Sequence, residues 1–149
     1  MPLAVGTDAP AFTAKDTDGN TISLSDFAGK TVVLYFYPKD DTPGCTAEAC
    51  SLRDNYDALL KQGYAILGVS PDNEKKHQKF IAKYELPFAL LADTDNKVAT
   101  DYGVWVEKSM YGRKYMGIAR TTFIIDEKGI ISEVIEKVET AKHAAQILK

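Results

Sequence analysis

The chain is poor in the groups that usually carry chemistry. It has 149 residues but only two cysteines, two histidines and three arginines, Arg53, Arg113 and Arg120. The cysteines are not spaced Cys-x2-Cys and neither histidine lies near them in sequence, so no metal site is expected. Nothing resembles a glycine-rich phosphate loop, so no nucleotide cofactor is expected either. The net charge is −3, and the Lys75-Lys76 doublet suits a solvated helix face. Neither feature favours nucleic acid or an anionic membrane as partner. The longest apolar run, "TVVLYFY", falls far below the roughly 20 residues that span a bilayer. The opening "MPLAVGTDAPAF" has no charged n-region and no apolar h-region, so a cleaved secretion signal is not expected and a cytoplasmic protein is. Repeats, low-complexity tracts and linkers are absent, which predicts one domain over residues 1–149.

What is present reads as alternating strands and helices. With 45% hydrophobic residues the chain can bury a core without a disulfide staple. "AFTAKDTDGNTISLSDF" predicts a hairpin turning at Thr17-Asp18-Gly19-Asn20, because Asp-Gly is a strong hairpin signal. "TVVLYFY" is β-branched, aromatic and continuously apolar, as a strand buried on both faces should be. Residues 43–62 follow with helical spacing and stop at Gly63. "YAILGVS" is the next buried strand, and Ser70-Pro71-Asp72 predicts a helix start with Ser70 as N-cap, running to about Tyr84. "FALLAD" predicts a third strand, "KVATDYG" a short helix, and "VWVEKSMYGRKYMGIA" a loop-like segment, with a short strand within it as the alternative. "TTFIIDEKGIISEVIEK" predicts a second hairpin turning at Glu127-Lys128-Gly129, and a last helix begins near Thr140. The sum is an α/β fold with a mixed sheet.

Both cysteines fall in one stretch, "YFYPKDDTPGCTAEAC". Thr42 suits an N-cap and Pro43 the first helical position, so Gly44 and Cys45 lie in the first turn. The N–H groups there have no partner within the helix, and the dipole places partial positive charge at that end. Cysteines in such positions are held as thiolate more readily than free ones. The same N–H groups can hold a partly negative oxygen, and the Thr42 hydroxyl can donate to the sulfur or to that oxygen. Pro38 and Pro43 can fix the loop and exclude water. Five residues on, Cys50 would sit about 140° around the helix, with Cα atoms roughly 8–9 Å apart. A disulfide needs Cα atoms within about 7 Å. If the two bond, the first turns of the helix must unwind.

The stretch "YPKDDTPGCTAEAC" resembles a peroxiredoxin active site, with Pro38, Thr42 and Cys45 at the family's spacing. Cys50 makes it similar to the peroxiredoxin Q subfamily, also called bacterioferritin comigratory protein. The similarity runs through "GVSPD", "LLAD", "MYGRKYMGI" and "RTTFIID". It implies a thioredoxin-like fold: a mixed central β-sheet flanked by helices, with an N-terminal β-hairpin. It implies that Cys45 is the peroxidatic nucleophile, attacking a hydroperoxide to become a sulfenic acid. Cys50 would be the resolving cysteine, forming an intramolecular disulfide that thioredoxin or a similar dithiol reduces. Arg120 matches the family's anion-holding arginine, and Thr42, Pro43, Gly44 and Arg120 would line the peroxide site. No metal, flavin or haem is implied, and a monomer is expected. Ala119 stands where relatives carry a polar or acidic residue, which bears on the arginine's hydrogen bonding. The final helix stops at "AAQILK", where relatives continue.

Blander readings accompany these. Cys45 and Cys50 suit a helix core, Thr42 a simple N-cap, and Arg120 a structural ion pair. His77 and His143 sit among Lys, Gln and Ala and read as surface residues. Arg113 reads as exposed, Arg53 as a surface residue, and Trp105, Tyr111 and Tyr115 as loop packing. Two other functions fit less well. A disulfide oxidoreductase would need Cys-x2-Cys, and a redox-sensing binding module would need a surface that changes with the disulfide.

Overall fold

The structure is a computed structural model and describes residues 2–148. In chain order it has β1 (Thr13–Lys15), β2 (Thr21–Ser23), β3 (Thr31–Phe36), α1 (Pro43–Asp54), α2 (Tyr56–Lys61), β4 (Tyr64–Ser70), α3 (Glu74–Tyr84) and β5 (Ala89–Ala92). There follow α4 (Lys97–Asp101), β6 (Trp105–Met110), β7 (Arg113–Ile118), β8 (Thr121–Ile125), β9 (Ile131–Ile135) and α5 (His143–Ile147). Seven strands form one sheet in the order β2-β1-β5-β4-β3-β8-β9. β3, β4 and β5 run parallel, while β1 and β8 join them antiparallel. This is the mixed sheet flanked by helices, with an N-terminal hairpin, that the sequence predicts.

The centre of the sheet follows from the apolar run of β3. Alternate residues of a strand point to opposite faces, and here both faces are covered. Val32, Leu34 and Phe36 enter one core, with Val98 and Tyr102 of the α4 region. Val33, Tyr35 and Tyr37 enter the other, with Ala49 and Leu52 of α1, Phe80 of α3 and Ile147 of α5. The β1–β2 turn is held by the Asp16 carboxylate, which accepts from Asp18 N and Asn20 N at 2.9 Å each. Gly19 there takes φ +79°, a conformation that costs glycine least.

Four local expectations need correction. The helix over 43–62 is interrupted at Asn55, whose side chain donates to the Ser51 carbonyl at 2.8 Å and so competes with the backbone ladder. Ser70 does not cap a helix: it ends β4, and Asn73 caps α3, its side chain accepting from Lys76 N at 2.9 Å. The segment read as a loop around Tyr111 is a two-stranded hairpin, β6–β7, separate from the main sheet. Its turn puts Tyr111 at φ +52°, fully exposed, with Gly112 at +78°. The last helix opens with a 3-10 turn (Thr140–Lys142) before α5.

Gly68 on β4 shows how tightly the second core is packed. A Cβ there would lie 2.7 Å from Leu90 Cδ2 and 2.8 Å from both Cζ and the hydroxyl of Tyr35. Gly68→Ala is expected to lower stability by about 1–3 kcal/mol, read as a lower denaturant midpoint with an unchanged slope.

Candidate active site

The site begins where β3 hands over to α1. The loop between them is fixed mainly by α3. Asp40, buried, accepts from the Tyr37 hydroxyl at 2.5 Å and meets His77 Nδ1 at 2.6 Å. Its own N–H donates to Asp72 Oδ2 at 2.6 Å. Asp41, at φ +59°, accepts from Lys83 and from the Tyr84 hydroxyl. His77 is therefore not a surface residue. It is buried, and its Nε2 reaches the Leu91 carbonyl at 3.0 Å. The sequence pattern hid this because its helical neighbours are solvated lysines and glutamine, while the ring itself points inward to the loop.

Thr42 is extended at the N-cap and its carbonyl accepts from Thr46 N at 2.8 Å. Its hydroxyl does not cap the helix; it donates to the Lys39 carbonyl at 2.9 Å and so closes the loop upon itself. Pro38 and Pro43 are exposed on either side. Pro43 and Gly44 open α1, and Cys45 follows with its side chain 1% exposed. Cys50 lies in the same unbroken helix, half-buried, and both thiols are free.

Arg120 comes to this point through the sheet. Phe36 pairs with Thr121 in the β3–β8 register, so the residue before β8 lies beside the end of β3. Its Nη2 donates to Cys45 Sγ at 3.2 Å and its Nη1 to Glu48 Oε1 at 2.6 Å. Gly44 leaves room for it: a Cβ there would lie 3.3 Å from Arg120 Nη2. Burial alone would lower the guanidinium's pKa, but the electrostatic pull of Glu48 and of the Cys45 sulfur, with its bonds to both, outweighs burial and pushes it up. Ala119 takes no part: its N–H donates to Val104 and its carbonyl accepts from the Thr121 hydroxyl. Glu48 is the partner that orients the arginine.

Of the expected residues, Cys45 is bonded to Arg120 and Gly44 abuts it, while Thr42 and Pro43 adjoin them along the chain at the head of α1. Arg113 is exposed, and Arg53 bonds the Tyr84 carbonyl and Asp54 instead. Three residues escaped the sequence reading. Glu48 is fully buried behind Arg120, and its one signal was its place three residues after Cys45 on a helix. His143 is also buried, with Nε2 2.8 Å from the Thr122 hydroxyl and 3.4 Å from Glu48 Oε2. Lys108 of β6 lies near enough that both Arg120 and Cys45 act on its charge. Burial pushes Glu48 up to about 7 against the pull of Arg120. Burial also holds His143 below its ordinary value, helped by Arg120 and opposed by its bond to Gln146.

A thioredoxin-like sheet that presents a cysteine at a helix N-terminus, bonded to an arginine, defines the class of thiol-based redox proteins. The model of the AhpC/TSA family matches residues 5–134. Peroxiredoxin Bcp of Bacillus subtilis is 46% identical over 149 residues, covering 100% of this chain and 95% of that protein. Peroxiredoxin Bcp of Escherichia coli is 46% identical over 147 residues, covering 99% and 94%. A mutant PrxQ of Xylella fastidiosa superposes with a TM-score of 0.92 at 31% identity, covering 99% of this chain and 94% of that one. A Xanthomonas campestris bacterioferritin comigratory protein, solved in a study of its alkyl peroxide reduction, gives 0.87 at 37%, covering 92% and 87%. The chain belongs to the AhpC/TSA family, in its peroxiredoxin Q/Bcp branch.

The buried carboxyl of Glu48 should leave a mark on stability. Its folded pKa is raised, so its contribution is fully present below about 4.5 and lost as pH rises through about 7. Glu48→Gln removes that loss. Its melting temperature relative to the unsubstituted protein should climb steadily across this window in a pH series of thermal melts. A constant difference would contradict the assignment.

Proposed function

We propose that this thiol peroxidase works with both cysteines and is recycled by thioredoxin or a similar dithiol. The contact between Arg120 Nη2 and Cys45 Sγ at the start of α1 carries the reading. A guanidinium and unpaired helix N–H groups both favour a thiolate there, and both can stabilise charge on a peroxide oxygen. The Cys45 thiolate attacks the distal oxygen of a hydroperoxide. The S–O bond forms as the O–O bond breaks, and the leaving alkoxide or hydroxide takes a proton to become alcohol or water. Cys45 is thereby oxidised to a sulfenic acid.

Cys50 then displaces water from that sulfenic acid to form the disulfide. Because α1 runs unbroken through both cysteines, its first turns must open for the sulfurs to meet. An external dithiol reduces the bond and the helix reforms. Thr42, Pro43 and Gly44 shape the peroxide site with Arg120, and Pro38 bounds the loop. The protein acts in the cytoplasm as a monomer, with no cofactor. Among the described residues, no helix is long and apolar enough to cross a membrane.

Steady-state turnover with thioredoxin tests the roles. Cys45→Ser is expected to lower kcat/KM for peroxide by at least about a thousandfold. Arg120→Met should lower it by about 10²–10³. Cys50→Ser should stall after one oxidation with thioredoxin and resume with a small thiol that can attack Cys45 directly. Unimpaired turnover of Cys50→Ser with thioredoxin would contradict the resolving role.

A further inference from the structure

Glu48 Oε2 is buried and has no hydrogen-bond donor. Such an oxygen is costly unless something supplies a proton to it. His143 Nε2 lies 3.4 Å from it. The proton count of that ring can be worked out from its other side. His143 Nδ1 lies 2.8 Å from Gln146 Oε1. That oxygen also accepts from Glu139 N at 3.0 Å, while Gln146 Nε2 donates to the Lys137 carbonyl at 2.9 Å. The amide orientation is thus fixed, and Nδ1 must be the protonated nitrogen. In the neutral ring, Nε2 is then an acceptor: it takes the Thr122 hydroxyl proton at 2.8 Å and also faces a second acceptor, Glu48 Oε2, at 3.4 Å. A proton carried on Oε2 lets the two face each other.

Taking Cys45 as the reacting thiol, as proposed above, we propose that Glu48 and His143 hold one shared proton, resident on Glu48, and that it keeps Arg120 available to the Cys45 sulfur. His143 is then a positioning residue acting through Glu48 and Arg120. With the proton in place the pair is uncharged, and the guanidinium faces one anion, the sulfur. Without it, the carboxylate adds a second negative charge that competes for Arg120 and disfavours the thiolate. The groups facing Glu48 are few: Arg120 at the head of β8, His143 on α5, Cys45 on its own helix and the buried phenol of Tyr35 on β3. Lys108 on β6 acts on Arg120 and Cys45 from the open side. Burial raises Glu48 to about 7 and lowers His143, in keeping with a proton on the carboxyl.

The test pairs reactivity with spectroscopy. His143→Gln still offers a donor to Glu48 but stabilises it as a carboxylate. Alkylation of Cys45 by iodoacetamide, and its oxidation by hydrogen peroxide, should each slow about tenfold at neutral pH. Adding Glu48→Gln to that variant removes the carboxylate charge and should recover most of the loss. A purely structural role for His143 would leave the double variant as slow as the single one or slower, and that result overturns the proposal. So does a His143→Gln variant with undiminished alkylation. In the unsubstituted protein, nitrogen NMR of the His143 ring should show the Nδ1–H tautomer, with Nε2 reporting a titration near 7 that Glu48→Gln abolishes. A flat Nε2 signal through that range overturns it too. Alkylation and NMR need no peroxidase turnover. If they behave as expected while peroxide is not consumed, the functional reading fails and the shared proton stands.

Discussion

The site depends on one guanidinium placed between a sulfur and a carboxyl. Arg120 reaches Cys45 and Glu48 at once, and both lie on the first two turns of α1. Bonds at 3.2 and 2.6 Å from one planar guanidinium hold only while both elements keep their places. The sheet must therefore hold β8 in register with β3, and the loop before α1 must not drift. The Phe36–Thr121 pairing meets the first need. The bonds from α3 to Asp40 and Asp41 meet the second. Fold and site are thus one construction: the antiparallel step in an otherwise parallel centre supplies the arginine that the helix start requires.

In the two-cysteine mechanism proposed above, the same helix must also let go. Its N-terminal turns carry Cys45 and end near Cys50, and polar ties are among those that hold it beyond them. Ser51 accepts from Ala144 N at 3.1 Å, and Arg53 donates to the Tyr84 carbonyl at 2.8 Å. The second of these is part-buried, and such a bond opens more cheaply than a packed apolar core. Ala49 and Leu52, in contrast, are buried in the second core and keep the middle of the helix seated. In that mechanism a Cys45 sulfenic acid would no longer offer Arg120 a full negative charge, so oxidation itself would weaken the tie that holds the first turn.

Much of this was legible in the chain. The run "TVVLYFY" gave the central strand because continuous apolar β-branched residues fit a two-faced core. Asp-Gly at 18–19 and Lys-Gly at 128–129 gave the hairpins because those turns need a residue that tolerates positive φ. Thr42-Pro43-Gly44-Cys45 gave the helix start and its thiol. What escaped were residues whose roles are set by tertiary contact. His77 and His143 look like surface histidines by their neighbours, yet the Asp40 carboxylate holds the first inside the protein and the Thr122 hydroxyl of β8 the second. Glu48 looks like any exposed helix acid. The β6–β7 pair shows in the chain as no more than a short strand in a loop, because its strands mix charged and apolar residues without a clean alternation and pair with each other, apart from the main sheet.

The most direct measurement is a single-turnover titration. The fully reduced protein, freed of reductant, is mixed with one equivalent of hydrogen peroxide in a stopped-flow instrument, and the products are mapped by mass spectrometry. The account predicts rapid loss of both thiols and a single intramolecular bond between Cys45 and Cys50. A sulfenic acid that persists on Cys45 with Cys50 still free would contradict it.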